Sequence, residues 1–140
     1  MEEMRQLIVQ AFQAREFSYC PYSGFSVGAA LLAQDGQVFT GCNIENASYG
    51  ATNCAERSAF YRAVSDGVRA FRAIAIVGGR KECREGEVDM CAPCGVCRQV
   101  MREFCEPDFK VILAKDREHY EVHALGELLP LSFGMDNLMD

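Results

Sequence analysis

The sequence carries few positive charges. Its 14 Lys and Arg residues stand against 20 Asp and Glu residues, which gives a formal net charge of -6 at pH 7. Such a surface repels a phosphate-rich polymer unless it carries a local basic patch, and the basic residues of this chain are scattered. The charge balance therefore argues against a nucleic-acid partner and favours a small, nearly neutral substrate.

A long apolar run is also missing. The longest one, residues 27–33, is far shorter than the roughly 18 residues that a membrane span requires. The first residues, Met1-Glu2-Glu3-Met4-Arg5, do not form the basic region followed by an apolar region that is typical of a signal peptide. We therefore expect a cytoplasmic protein with no membrane partner.

Repeats, low-complexity segments and linkers are not evident either. A chain of 140 residues with 49% apolar residues has enough interior for one hydrophobic core. We therefore expect residues 1–140 to form a single domain.

Apolar spacing and turn residues predict a mixed α/β sheet with helices on its faces. The Asp35-Gly36 pair between two apolar runs indicates a β-hairpin. Strands are expected at 26–33, 37–42, 71–78, 109–114 and 120–123, and helices at 2–16, 54–66, 94–105 and 124–129.

Eight cysteines are many for a chain of this size, and in a reduced compartment they favour metal binding or catalysis over disulfides. Cys54 opens one predicted helix, and Cys94 and Cys97 open another. Helix positions three apart share a face, and helix N-termini favour thiolates. Three such ligands would leave a fourth zinc position open, as catalytic sites do.

Glu56 follows Cys54 by two positions, which places a carboxylate near the metal but outside its ligand set. A carboxylate there can take a proton from activated water and return it elsewhere. An alternative stays open on spacing alone, because Cys91 could complete a closed four-thiolate structural site in a non-catalytic binding or scaffold protein.

A carboxylate beside one ligand, followed by Pro-Cys-x-x-Cys, is the signature of the zinc deaminases. The chain resembles the small, homotetrameric cytidine deaminases over nearly its whole length. The segments that carry the resemblance are 19–23, 25–30, 41–49, 53–57, 93–99, 127–130 and Phe133. The fold that it implies is a three-layer sandwich, with a mixed five-stranded sheet flanked by helices.

The resemblance implies one Zn²⁺ per subunit on Cys54, Cys94 and Cys97, with Glu56 as the proton shuttle. The implied reaction is hydrolytic deamination of cytidine and 2'-deoxycytidine to uridine and 2'-deoxyuridine, in pyrimidine salvage. Ammonia is released, and the reaction uses zinc-activated water. Related folds act on polynucleotides or on nucleoside-like antibiotics, but the acidic surface argues against a polynucleotide.

The resemblance also implies the substrate contacts. Phe25 would pack against the pyrimidine ring and Ala55 would contact the substrate, although an aromatic residue at such a loop-to-strand boundary is by itself more typical of the core. Asn43 and Glu45 would bind the ribose hydroxyls; being two apart, they share one side of an extended segment.

Two further aromatic residues concern assembly. Tyr49 and Phe133 are similar to residues that enter the active sites of neighbouring subunits. The resemblance therefore implies a homotetramer with shared active sites and a nucleoside as its small-molecule partner.

Arg57 has a role that follows from charge. Zinc with three thiolates carries a formal net charge of about -1, which weakens its pull on bound water. A cation that donates hydrogen bonds to the thiolates restores part of that pull. Arg57, next to Glu56, is placed to do this.

Overall fold

The computed structural model describes residues 2–139, and the predicted helices and strands are confirmed with ends that move by at most two residues. Two single 3₁₀ turns, Tyr49–Ala51 and Met135–Asn137, lie in segments between and after these elements. In chain order the elements are α1 Glu2–Arg15, β1 Phe25–Ala33, β2 Val38–Cys42, α2 Ala55–Ser65, β3 Phe71–Arg80, α3 Gly95–Phe104, β4 Lys110–Ala114, β5 Tyr120–Ala124 and α4 Leu125–Leu128.

The five strands form one mixed sheet in the order β2-β1-β3-β4-β5. β1 pairs antiparallel with both β2 and β3, β3 pairs parallel with β4, and β4 pairs antiparallel with β5. The β1–β2 hairpin turns at Gly36, whose φ of 95° is readily adopted by glycine. The parallel β3–β4 pair requires a crossover connection, and α3 lies within that connection.

Helices cover both faces of the sheet, which gives the expected three layers. Successive strand residues point to opposite faces: Ala30 and Leu32 of β1 pack on the α1 side, while Ala29 and Leu31 pack on the α2 side. Phe60 of α2 is fully buried among residues of the second face. Both faces of β1 are therefore core, and the sheet fixes where α2 and α3 begin.

Two glycines allow helices to lie close to the sheet. A Cβ on Gly28 would lie 2.0 Å from the carbonyl oxygen of Ala11 in α1. A Cβ on Gly41 would lie 2.5 Å from the carbonyl oxygen of Ala55 and 2.6 Å from the nitrogen of Ala59, both in α2. Such contacts are shorter than real side chains make, so glycine at these positions sets the height of each helix above the sheet. Among residues 2–139, no helix has both the length and the apolar character needed to span a membrane.

Candidate metal centre and substrate pocket

The N-termini of α2 and α3 meet at one point and bring three cysteines together. Cys54 is the N-cap residue of α2 and Cys94 is the N-cap residue of α3, both with extended backbone. Cys97 lies in the first turn of α3 and is buried. The two motifs therefore converge in the structure, as their positions at helix starts predicted. The helix dipoles favour negative charge at these positions.

The sulfur separations fit a zinc ion. The Sγ atoms of Cys54 and Cys94 are 3.8 Å apart, and those of Cys94 and Cys97 are 3.5 Å apart. Three sulfurs at about 2.3 Å from one tetrahedral centre would be separated by about 3.8 Å. Within residues 2–139, these three cysteines are the group of His, Cys, Asp and Glu side chains close enough to share an ion.

Neighbouring side chains change the pKa values of the cysteine thiols. A hydrogen bond from Cys97 and another from Arg57 lower the pKa of Cys54 to about 5, so that this sulfur is a thiolate at neutral pH. The same hydrogen bond raises the pKa of Cys97, because its proton is shared with the Cys54 thiolate. Thiolate is the form that binds zinc.

Arg57 contacts the cluster as the charge argument predicted. Its Nη2 donates to the Sγ of Cys54 at 3.3 Å, and this interaction raises the pKa of the guanidinium. Its Nε is buried and has no hydrogen-bond partner among the described residues. An unpaired buried donor costs free energy. The attraction between the guanidinium and the negatively charged sulfur offsets that cost and accounts for the position of this side chain.

Glu56 points into the protein from the first turn of α2. Only 4% of the residue is exposed, and this burial raises the pKa of its carboxyl from the ordinary 4.5 to about 7. The charge of Cys54 acts in the same direction. A carboxyl with a pKa near neutrality can accept and return protons at physiological pH.

Cys91 stands outside the sulfur cluster. Its Sγ packs over β3, 3.1 Å from the position that a Cβ on Gly78 would take. Burial raises the pKa of this thiol to about 11, with Glu56 and Cys54 contributing. Its sulfur is not among the three that lie within 4.8 Å of one another, so the geometry favours three protein ligands over four.

Phe25 begins β1 and is 38% exposed. This exposure does not fit a core residue and leaves its ring available to a ligand. Ala55, by contrast, is fully buried between Cys54 and Glu56 at the start of α2. The structure thus places one of these predicted substrate contacts on the surface and the other beside the metal centre.

Asn43 and Glu45 follow β2 and turn toward the start of β1. Asn43 is buried, accepts a hydrogen bond from the nitrogen of Val27 at 2.9 Å and donates to the carbonyl of Phe25 at 2.8 Å. The Oε1 atom of Glu45 accepts from the nitrogens of Tyr22 and Ser23 at 2.9 and 3.1 Å. Asn43 therefore contacts β1 itself, and Glu45 contacts the loop before it.

The predicted subunit-bridging residues lie on the surface. Tyr49 is 77% exposed and Phe133 is 58% exposed. The ring of Tyr49 meets that of Tyr22 edge to face, with centroids 6.2 Å apart. A cavity of about 370 Å³ between these tyrosines is lined by Tyr22, Ser23, Glu45, Asn46, Tyr49 and Thr52.

Two larger cavities, of about 1120 and 510 Å³, are lined by none of the predicted site residues. The site is therefore recognised by its chemistry and not by the size of its cavity.

Sequence reasoning missed the contact between Ser23 and Glu45. Ser23 is a turn residue 22 positions away in sequence, and no spacing rule connects the two.

The sequence matches a family described as "Cytidine and deoxycytidylate deaminase zinc-binding region" over residues 1–113. This range includes the three clustered cysteines and Glu56. The match covers more than half of the chain, so it concerns the fold as well as the metal motif.

Known proteins resemble the chain over nearly its full length. Cytidine deaminase from Sporosarcina psychrophila is 48% identical over 136 residues, which cover 97% of this chain and 95% of the relative. Cytidine deaminase from Halalkalibacterium halodurans is 48% identical over 138 residues, 99% of each chain. The crystal structure of cytidine deaminase from Burkholderia pseudomallei has a TM-score of 0.81 at 48% identity, and the match covers 91% of this chain and 97% of that one.

Proposed function

Because the chain belongs to the cytidine and deoxycytidylate deaminase family, we propose that it is a zinc-dependent hydrolase that deaminates cytidine and 2'-deoxycytidine. The products are uridine or 2'-deoxyuridine and ammonia. The observation that carries this proposal is the buried Glu56 carboxyl beside three converging cysteine sulfurs.

We further infer that residues 1–140 form one domain.

Cys54, Cys94 and Cys97 would hold one Zn²⁺ per subunit. Bound there, the ion would act as a Lewis acid that lowers the pKa of a bound water. Arg57 donates to the sulfur of Cys54 and thereby reduces the negative charge that three thiolates place on the site.

Glu56 moves the protons. It accepts one proton from the attacking water and delivers it to N3 of cytosine as the C4–O bond forms. It then takes the remaining hydroxyl proton and passes it to the 4-amino group, so that the C4–N bond breaks and ammonia leaves. The raised pKa of about 7 suits a group that must act first as a base and then as an acid.

The positions of the other side chains support the substrate contacts that we propose. Phe25 would offer its exposed ring to the pyrimidine, and Ala55, which is buried in the single chain, would lie under the base beside Glu56. Asn43 uses one N–H on the carbonyl of Phe25, which leaves its second N–H for a ribose hydroxyl. Glu45 would accept a hydrogen bond from the sugar.

A free nucleoside fits these contacts better than a polynucleotide does. The net charge of -6 opposes a phosphate backbone. A non-catalytic scaffold protein with four thiolate ligands would leave the buried Glu56 without a role, and Cys91 lies outside the sulfur group.

We infer a cytoplasmic homotetramer with shared active sites. In the single chain Tyr49 and Phe133 present their rings to solvent, and an apolar side chain so exposed gains free energy when another subunit covers it. Each ring would then complete the active site of a neighbour.

The test is turnover of cytidine by the purified protein, with zinc measured on the same sample. We expect uridine and ammonia with about one zinc per chain, and activity on 2'-deoxycytidine but not on cytosine or single-stranded DNA. Bound zinc without turnover of either nucleoside would refute the proposed reaction.

A further inference from the structure

We propose that Ser23 is a positioning residue, which orients the Glu45 carboxylate so that one lone pair of Oε2 receives a ribose hydroxyl of the substrate. This inference rests on the proposed function. It assigns a role to a residue that contacts Glu45 but belongs neither to the metal centre nor to the predicted substrate contacts.

The first step is the shape of the loop between α1 and β1. The nitrogen of Gly24 donates to the carbonyl of Cys20 at 3.0 Å, and Gly24 has a φ of 67°. The nitrogen of Lys81, just beyond β3, donates to the carbonyl of Gly24 at 2.9 Å and ties this turn to the sheet. The turn thereby directs two successive backbone N–H groups, those of Tyr22 and Ser23, at Oε1 of Glu45.

The second step is the hydroxyl of Ser23. It donates its one proton to Oε2 of Glu45, and it accepts from the nitrogen of Phe25 at 3.0 Å. Because both interactions are made at once, the hydroxyl has a fixed orientation. Ser23 thus links the residue proposed to hold the sugar with the residue proposed to hold the base.

The third step is the count of acceptor positions. A carboxylate has about four lone-pair positions, and the three donors from Tyr22 and Ser23 occupy three of them. The position left open is on Oε2, the oxygen that Ser23 holds. Hydrogen bonding from Ser23 also lowers the pKa of Glu45, so the group stays ionised and acts only as an acceptor.

The experiment is a double-mutant cycle of Ser23→Ala and Glu45→Gln, read with cytidine, 2'-deoxycytidine and 3'-deoxycytidine. For cytidine we expect S23A to raise KM about tenfold, as loss of one charge-assisted hydrogen bond implies, with kcat changed less than about twofold. Ser23→Thr, which keeps the hydroxyl, should restore KM, and Ser65→Ala at the exposed end of α2 is the matched control. Zinc content and circular dichroism establish that each variant folds.

Two results together support the inference. The S23A effect should disappear in the Glu45→Gln background, and it should disappear for the analogue that lacks the hydroxyl bound by Glu45. Additive effects of the two substitutions, or an equal loss on all three nucleosides, would overturn it while leaving the deaminase activity intact. A wild-type protein that turns over none of the nucleosides would instead refute the proposed function, and this inference with it.

Discussion

Two glutamates of the site have opposite surroundings. Burial raises the pKa of Glu56 to about 7, whereas hydrogen bonds from Ser23 and Tyr22 lower the pKa of Glu45. The first carboxyl can exchange protons at neutral pH, and the second remains an anion that accepts hydrogen bonds. Environments that push pKa values apart divide the roles of like residues, so we expect proton transfer at Glu56 and sugar recognition at Glu45.

Glu56→Gln should retain about one zinc per chain and lose about 10²–10⁴ of kcat, because the amide is nearly isosteric but cannot shuttle protons. The measurement is steady-state cytidine turnover together with zinc content. Glu103→Gln, at an exposed position of α3, is the matched control and should behave like the wild type. A fully active E56Q variant would exclude the proton-shuttle role.

Cys91→Ser and Cys97→Ser should differ in metal content. Cys97 belongs to the sulfur cluster, so its replacement should abolish stoichiometric zinc and turnover. Cys91 packs over Gly78 outside the cluster, and its serine variant should bind about one zinc per chain and stay active. Loss of zinc from both variants would point to a four-thiolate structural site instead.

Cys94 and Cys97 could be predicted as a pair of ligands because their geometry is local, whereas the addition of Cys54, 40 positions from Cys94, followed from the deaminase signature. Cys94 and Cys97 share a helix face by spacing alone, and the dipole argument applies to any helix N-terminus. The positioning of Glu45 could not be predicted, since it depends on a loop 22 to 23 residues away that meets it only after β1 and β2 pair.

At the scale of elements, two helix N-termini supply the metal centre, and the sheet sets their heights. The start of α2 lies directly over Gly41 of β2. A larger residue at this position would push α2 away from the sheet and would move Cys54 and Glu56 relative to Cys94 and Cys97. We therefore expect the packing of β2 against α2 to affect catalysis.

Gly41→Ala should lower both zinc content and kcat, because its Cβ would lie 2.5 Å from the carbonyl oxygen of Ala55. A displacement of about 1 Å can cost about 10²-fold in rate. Gly28→Ala is the matched control, since it overpacks α1 on the opposite face. Both should lose about 1–3 kcal/mol in the free energy of unfolding, but G28A should keep its zinc and most of its kcat. If the G41A variant were destabilised but kept a normal kcat, the position of α2 would not control catalysis and the prediction would be wrong.

The elements themselves were readable from the sequence, whereas their arrangement was not. The Asp35-Gly36 turn and the apolar spacing of α1 are local signals, and both features are present. The order of strands and the parallel β3–β4 pairing join residues far apart in sequence. No periodicity encodes such pairings, and the expectation of five strands in three layers came from the family resemblance.

At the scale of the whole molecule, the single chain has an open site. Phe25 is 38% exposed and Tyr49 is 77% exposed, although catalysis of this kind profits from excluding water. The residues described above bring together three cysteine sulfurs and the buried carboxyl of Glu56, but they provide little cover. A neighbouring subunit that inserts aromatic side chains would provide that cover, and Phe133 is an exposed ring available for it.

Mixing two inactive variants tests this arrangement directly. Glu56→Gln subunits keep Phe133 but lack the proton shuttle, and Phe133→Ala subunits keep Glu56 but lack the ring. If Phe133 completes a neighbour's site, co-expression of the two should yield mixed oligomers in which Glu56 of one subunit meets Phe133 of another, so that part of the wild-type kcat returns. Each variant expressed alone should form the same oligomer by light scattering and stay nearly inactive. If Phe133 instead acts within its own chain, every site of the mixture lacks one of the two groups, and no activity above that of the separate variants should appear.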